Sequence, residues 1–349
     1  MTHFEQEITR KLATQIKSYS DKPLKIMEVC GSHTVAIGKF GIKAILPQSI
    51  KLVSGPGCPV CLTDSGFIDT AVEISLKKEV ILCTFGDLIR VKGSKYDLSQ
   101  ANDVRIVISP IECLKIAKEN PSREVMFLSI GFETTTPVTA LVVQKAYSDN
   151  IKNFSILVAN KTMPNILEYL YTDPDFNIDG FIFPGNVCVI SGCEFYENFC
   201  EKKIVKGVVA GFDIYDILGG ISFIVNNTND YFCNNYKRFA KYEGNIQAQS
   251  IVSEVFEEST SFIKTIGFIN GAGLKLKEKY AFFDAEKRFE ISIKNCDLNT
   301  DCQCGNIIKG KIEPKACSLF GKFCTPSNPI GSCMVSEEGP CMSAFKYEY

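Results

Sequence analysis

Short apolar runs alternate with longer segments of helical period through the first two thirds of this chain. LKIMEV (residues 24–29), IKLVSG (50–55), EVILCTFG (79–86), VRIVISP (104–110) and EVMFLSIGFE (124–133) read as short buried strands bounded by Gly, Pro or Ser. Between them, GFIDTAVEISLKKE and PIECLKIAKENP carry helix spacing with polar ends. The alternation continues with FSILVAN (154–160), IDGFIFPG (178–185) and KIVKGVVAGF (203–212), separated by the helical segments PVTALVVQKAYSD and TMPNILEYLYTD. Strand, helix, strand in repetition predicts parallel sheets, because parallel neighbours need a crossover and the crossover is usually a helix.

The pattern then changes. Residues 221–242 form an Asn-rich, helix-like stretch, NIQAQSIVSEVFEEST reads as a further helix, and TIGFINGAGLKLKEKYAFFDAEKRF follows. No repeat of fixed period is present. The expected architecture is α/β with two halves, an α/β domain over residues 21–140 and a second over 141–288. A small cysteine-rich domain over 289–349, together with residues 1–20, completes it.

Composition narrows the function classes. At 349 residues and 45% hydrophobic the chain exceeds what one core usually fills, roughly 250–300 residues. The formal charge is −2, and no run of Lys or Arg forms a stripe to neutralise phosphates, which excludes a nucleic-acid partner. The N-terminus is polar and charged, unlike a signal or transit peptide, and no segment reaches the roughly 20 apolar residues of a membrane span. A cytoplasmic protein without membrane attachment is expected.

In that reducing compartment sixteen cysteines are not a disulfide framework, so metal binding, catalysis or burial must account for them. Cys83, Cys113, Cys188, Cys193, Cys200 and Cys233 sit in or beside apolar segments, where a free thiol packs as a small hydrophobe. His3 and His33 are the only histidines, which excludes a multi-histidine zinc site.

In open parallel sheets ligands bind outside the carboxyl ends of the strands. Unusual peptides occupy those turns: CGSHT (30–34), GPGCPVC (55–61), GFETTTP (131–137), PGNVCVISG (184–192) and GFDIYDIL (211–218). In CGSHT, Cys30 offers a metal ligand or nucleophile and His33 a proton carrier or thiolate partner, with Thr34 beside them; a lone structural histidine is the bland alternative. Cys58 and Cys61 form a C-x-x-C in a rigid Gly/Pro turn, compatible with a metal, a redox dithiol or plain packing. Glu133 stands at the mouth of an apolar strand, where a carboxylate binds a cation or relays protons, and the threonines after it cap the next helix.

Seven cysteines fall between Cys296 and Cys341. Four thiolates hold an iron–sulfur cluster, and Cys302, Cys304, Cys317, Cys324, Cys333 and Cys341 are six candidates for four positions. Structural zinc usually shows paired C-x-C or C-x-x-C knuckles. Here only Cys302 and Cys304 are close, so the irregular spacing favours a cluster over zinc.

CGSHT, GPGCPVC, SPIECLKIAKENP through GFETTTPVTA, and the ending LFGKFCTPSNPIGSCMVSEEGPCMSAFKY resemble, in order and over nearly the whole chain, the hydrogenase maturation factor HypD family. The resemblance implies two Rossmann-like α/β domains and a [4Fe-4S] domain. It implies a scaffold on which the Fe(CN)2CO unit of [NiFe]-hydrogenases is built, with a HypC-like chaperone as partner. A HypE-like protein would donate cyanide, with HypF upstream. The family's C-x14-C-x6-C-x16-C pattern falls on Cys302, Cys317, Cys324 and Cys341, leaving Cys304 and Cys333 as neighbours or alternates. Its iron-site cysteine falls on Cys30 and its redox pair on Cys58 and Cys61, while His33, Thr34 and Glu133 fall in motifs lining the same cleft.

Two departures bear on that transfer: Val35 and Asn186 stand where the family commonly has histidines, so a proton-relay role there does not carry over. The rival reading is a turnover enzyme, a cluster-dependent reductase that cycles the Cys58–Cys61 disulfide with Cys30 as nucleophile.

Overall fold

A computed structural model of the chain describes residues 2–19, 22–226, 228–294 and 301–349. Each predicted apolar run forms a strand: β1 (Leu24–Glu28), β2 (Ile50–Ser54), β3 (Val80–Thr84), β4 (Val104–Ile106), β5 (Glu124–Ser129), β6 (Phe154–Val158), β7 (Gly180–Pro184) and β8 (Lys206–Ala210). A short strand, β9 (Phe232–Asn234), and an antiparallel pair, β10 (Phe256–Ile263) and β11 (Gly267–Leu276), follow. The first nine strands lie in two parallel sheets, in the orders β2-β1-β7-β8-β9 and β4-β3-β5-β6. The α/β class with parallel sheets is therefore what the periodicity indicates.

The chain makes two compact units from interleaved segments. The first comprises Met1–Cys58, Glu168–Ile246 and Asp301–Tyr349, and the second comprises Pro59–Leu167 and Gln247–Thr300. In the first unit Ile26, Leu52, Ile182 and Val208 from the five-stranded sheet are buried with Ile37, Ile217 and Ile221 from the helices Gly31–Lys39 and Ile214–Val225. The N-terminal helix His3–Lys17 starts at a capping box between Thr2 and Glu5 and adds Ile16 to that core. The C-terminal helix Pro340–Tyr347 lies on the helix Gly31–Lys39 so closely that a Cβ at Gly38 would stand 2.7 Å from Tyr347. The cysteine tail is thus packed against the element that follows Cys30.

In the second unit the four-stranded sheet buries Ile81, Val125, Phe127 and Ile156 against Val142 and Val143 of the helix Thr136–Ser148. Cys83 and Cys113 have no exposed surface and belong to this core. Phe256 and Leu276 close it from the β10–β11 hairpin.

Two stretches differ from the periodicity reading. The helix-like Asn-rich segment stops at Val225 and becomes β9, because Asn and Asp compete for backbone hydrogen bonds and favour turns, while Phe232 and Cys233 register beside β8. The helix beginning in NIQAQSIVSEV ends at Val255, and FEESTSFI is a strand. No Gly or Pro marks that junction. Only pairing with the glycine-rich β11 reveals it, a case of tertiary context overriding local preference. Among the described residues no helix is long and apolar enough to cross a membrane. Cys296 lies outside the described residues.

Candidate functional site: a thiol at the strand ends beside a cysteine-rich tail

In the first unit the chain passes from β1 to its neighbour β2 on one side and from β7 to β8 on the other, so β1 and β7 flank a topological switch point. CGSHT follows β1 there. Cys30 is the N-cap residue of the helix Gly31–Lys39, and its Sγ lies 4.0 Å from Oδ1 of Asn186, which stands in the helix Gly185–Ser191 directly after β7. The turn is tied at two points: the Cys30 N–H donates to Glu28 Oε2 at 3.1 Å, and the Gly31 N–H donates to the Gly57 carbonyl at 3.2 Å.

Gly57 must be glycine for a steric reason. A Cβ there would stand 2.3 Å from the Cys30 nitrogen, against backbone rather than a flexible side chain. Gly57→Ala is expected to destabilise the protein by about 2 kcal/mol or more, in the range of overpacked core positions, and to shift the Cys30 turn. A denaturant midpoint equal to that of the parent would sink this expectation.

The electrostatics of the turn follow from burial. Desolvation pushes the Cys30 thiol up to about 12, Glu338 and Glu28 add negative potential, and the N–H groups of His33 and Ser32 partly offset the rise. Cys30 is therefore a neutral thiol until a cation binds. Glu338 is held by the Ser32 hydroxyl, which donates to its Oε1 at 2.7 Å. The Thr34 hydroxyl donates to Glu28 Oε1 at 2.5 Å, and burial raises Glu28 itself to about 8.

His33 has no exposed surface. Its Nε2 lies 2.9 Å from the Gly211 carbonyl in the turn after β8, an acceptor that requires the proton on Nε2, and its ring lies on Phe212 with centroids 4.7 Å apart. Burial lowers its pKa to about 4, so the imidazole is neutral at physiological pH. Nδ1 is then a buried lone pair with no partner among the described residues.

Cys58 is buried in the same unit, its Sγ 3.3 Å from the Ser336 hydroxyl. Cys61 lies in the short helix Pro59–Leu62, which opens the second unit. Glu133 is also in the second unit, after β5. Its Oε1 accepts the N–H of Met163 at 2.8 Å, its Oε2 is buried without a partner among the described residues, and desolvation raises its pKa to about 7. The threonines after it do not cap the next helix. The Thr135 and Thr136 hydroxyls donate back to the Phe132 carbonyl at 3.1 and 3.0 Å. Cys30, His33, Thr34 and Cys58 thus gather in one unit, while Cys61 and Glu133 belong to the other.

The tail converges on Cys341. Burial and the neighbouring sulfurs of Cys324, Cys302 and Cys317 push the Cys341 thiol well above its ordinary range. Cys324 Sγ accepts the Ile330 N–H at 3.4 Å. A Cβ at Gly331 would stand 2.6 Å from Cys302 Sγ and 2.8 Å from Cys304 Sγ, so the glycine lets the backbone approach the sulfurs. Cys304 and Cys333 are joined as a disulfide, a pairing that spacing alone did not indicate, and Cys333 Sγ lies 3.1 Å from Cys341 Sγ. Among the described residues no group of three or more His, Cys, Asp or Glu side chains forms a cage for a single metal ion. A [4Fe-4S] cubane holds its four cysteine sulfurs further apart than one ion does. Cys317, Cys324 and Cys341 are buried and Cys302 half-buried, with the other three sulfurs acting on Cys341, and four thiols gathered in this way suit the donor set of such a cluster.

Several site residues escaped the sequence reading. Glu28 was hidden as the last residue of a strand, Glu338 and Ser336 as polar residues of the tail, and Gly211 as a turn glycine.

Thiols at the strand ends of a doubly wound sheet, packed against a cysteine-rich tail, define the class: an α/β protein with a cysteine-rich C-terminal segment. The profile of the HypD family, described as "Hydrogenase formation hypA family", matches residues 6–348, and the chain belongs to this family. Among similar proteins, "Hydrogenase maturation factor HypD" of Escherichia coli is 40% identical, covering 98% of this chain and 94% of its own length. "Hydrogenase maturation factor HypD2" of Bradyrhizobium diazoefficiens is 39% identical, with 98% and 95% covered. "Hydrogenase maturation factor HypD" of Cupriavidus necator is 37% identical, with 98% and 94% covered.

Proposed function

We propose that this protein is the scaffold on which the Fe(CN)2CO unit of a [NiFe]-hydrogenase is assembled in the cytoplasm. A HypC-like chaperone is the partner that shares the iron, and a HypE-like protein, with HypF upstream, brings the cyanide. The observation that carries this reading is the placement of Cys30, a single thiol at the switch point, with Asn186, Glu28, Thr34 and the neutral His33 ordered around it. One protein thiol leaves an iron's remaining positions to the partner and to small ligands. Thiolate also suits the soft, low-spin iron that cyanide and carbonyl produce.

Cys302, Cys317, Cys324 and Cys341 would hold a [4Fe-4S] cluster, which supplies electrons one at a time. Ser336 and Glu338, within residues 333–341, contact Cys58 and Ser32 respectively, so the tail that carries Cys341 is tied to both thiol-bearing turns of its unit. Cys58 and Cys61 serve as the two-electron thiol pair. The reductase alternative would cycle the Cys58–Cys61 disulfide with Cys30 as nucleophile.

Infrared spectra of the protein co-produced anaerobically with its partners separate the two. Bands of iron-bound cyanide and carbonyl support the scaffold, whereas stoichiometric disulfide reduction without such bands supports the reductase. Cys341→Ser is expected to bleach the broad visible absorption of the anaerobic protein, because removing one of four ligands leaves an iron open to solvent. Iron content of four per chain in that variant would overturn the ligand assignment.

A further inference from the structure

The hydroxyl and imidazole donors of the two elements beside Cys30 are engaged. The Ser32 hydroxyl donates to Glu338, the Thr34 hydroxyl to Glu28 and the His33 Nε2–H to the Gly211 carbonyl. On the neighbouring helix Gly185–Ser191 the Ser191 hydroxyl donates to the Val187 carbonyl at 3.1 Å. The half-buried amide of Asn186, in that same helix, differs from them. Its backbone is fixed by close packing: a Cβ at Gly185 would stand 2.5 Å from the Tyr236 ring and 2.6 Å from the Ala210 carbonyl at the end of β8.

The amide is oriented by two donors. Oδ1 accepts the Val187 N–H at 3.0 Å and faces the Cys30 thiol at 4.0 Å. An inverted amide would set its own N–H groups against the Val187 N–H, so this pair of donors decides which end is oxygen. Nδ2 makes no hydrogen bond among the described residues. It shares a carbon with the atom that faces Cys30, so an N–H donor without a protein acceptor stands beside the sulfur. Asn186 also stands where the family commonly has histidine. The amide keeps an N–H donor at this position and lacks the imidazole's titration near neutral pH.

A donor so placed selects for an acceptor on whatever the sulfur holds. Of the ligands that the scaffold reading puts on the iron, cyanide carries negative charge and a nitrogen lone pair, while the oxygen of a metal carbonyl is a weak acceptor. Hydrogen bonds to an anionic acceptor are roughly twice as strong as neutral ones. We propose that Asn186 sets the arrangement of ligands on the Cys30 iron: Nδ2 donates to the nitrogen of one iron-bound cyanide and so keeps that cyanide, rather than the carbonyl, on its side of the sulfur. Asn186 is then a specificity-determining residue, with one end of its amide serving the helix start and the other the cargo. The inference rests on the scaffold reading given above.

The test is the infrared spectrum of the protein co-produced anaerobically with its partners, recorded in ordinary water and, after exchange, in heavy water. In the parent one cyanide band is expected to move when its donor is deuterated. In Asn186→Ala that band is expected to shift and to lose its response to heavy water, with a smaller movement of the carbonyl band. Asn186→Asp keeps the oxygen that accepts the Val187 N–H and removes the donor, so it should lose the response as Asn186→Ala does. Asn186→His, which restores an N–H, should regain it. Cyanide bands of Asn186→Ala that coincide with the parent's in both solvents overturn the proposal, as does a heavy-water response that survives in Asn186→Asp. If Asn186→Ala does not fold, the Asn186→Asp spectrum decides alone. Bands unmoved by these replacements leave the scaffold reading standing, whereas a parent without cyanide and carbonyl bands removes that reading and this inference together.

Discussion

Replacing Cys30 by serine is expected to abolish the infrared bands of iron-bound cyanide and carbonyl in protein co-produced with its partners, while the visible absorption of the cluster persists. The local fold tolerates the change, because the contacts that define the turn are made by backbone atoms: the Cys30 N–H to Glu28 and the Gly31 N–H to Gly57. What is lost is the sulfur. A serine hydroxyl stays protonated and is a hard donor, poorly matched to a low-spin iron with cyanide and carbonyl ligands. Losing an outer-shell partner alone typically lowers metal affinity by about 10–100-fold, so removing the ligand itself should lower iron loading by at least about 100-fold. Persistence of both sets of bands in the serine variant would mean that the iron is held elsewhere.

Selectivity in that experiment comes from the way the first unit separates its thiols. Cys30 lies beside the Asn186 amide oxygen and backbone N–H groups, Cys58 meets the Ser336 hydroxyl, and Cys302, Cys317 and Cys324 converge on Cys341. Desolvation, and after it the Glu338 carboxylate, raises the Cys30 pKa, which keeps Cys30 a thiol and so less open to oxidation. An incoming iron cation reverses the sign of that effect, since the Glu338 carboxylate then favours a net positive metal and the cation in turn favours ionisation of Glu28. The site is therefore selective for a charged occupant.

The apolar runs and their turn peptides were legible because parallel strands buried on both faces leave near-continuous hydrophobic stretches, and ligand-binding turns follow them. Cys30, His33 and Thr34 were legible for the same reason, since they follow such a run. Glu28 was not, because a carboxylate at the end of a strand gains meaning only when Thr34 curls back one helical turn to meet it. The β10–β11 hairpin was illegible where FEESTSFI continues a helical pattern without a breaker. Its partner supplies the information: a Cβ at Gly273 would stand 2.5 Å from the Ser261 Cβ, so the two strands approach only because one of them carries glycine. The Cys304–Cys333 pairing, 29 residues apart, likewise depends on the folding of the tail rather than on spacing.

Glu28→Gln is expected to change the slope of stability against pH more than any other single conservative replacement in the thiol site. The folded-state pKa of Glu28 is raised from 4.5 to about 8, chiefly by desolvation, against hydrogen bonds from Thr34, Ser54 and the Cys30 N–H and the positive charge of Lys43, all of which lower it. Below about pH 4.5 the carboxyl is neutral in both folded and unfolded chains and contributes no slope. Between about 4.5 and 8 the unfolded chain has released the proton while the folded chain retains it. Stability therefore falls as pH rises through this window, by at most about 1.4 kcal/mol per unit and on the order of 5 kcal/mol in all. Above about 8 the loss is complete. Glutamine has no proton to release, so the part of the slope owed to Glu28 should vanish, leaving the contributions both proteins share, among them the fall from Glu133 and the rise from His33, whose folded pKa lies near 4. The amide presents one oxygen where the carboxyl presents two, so either the Thr34 hydroxyl or the Cys30 N–H loses its acceptor, costing about 1 kcal/mol. The variant should be slightly less stable than the parent near pH 5 and more stable by about 3 kcal/mol near pH 8, with the denaturation curves crossing between. Parallel profiles across that range would show that Glu28 ionises freely in the folded protein, an outcome that contradicts a carboxyl group 2% exposed at the end of the strand leading to Cys30.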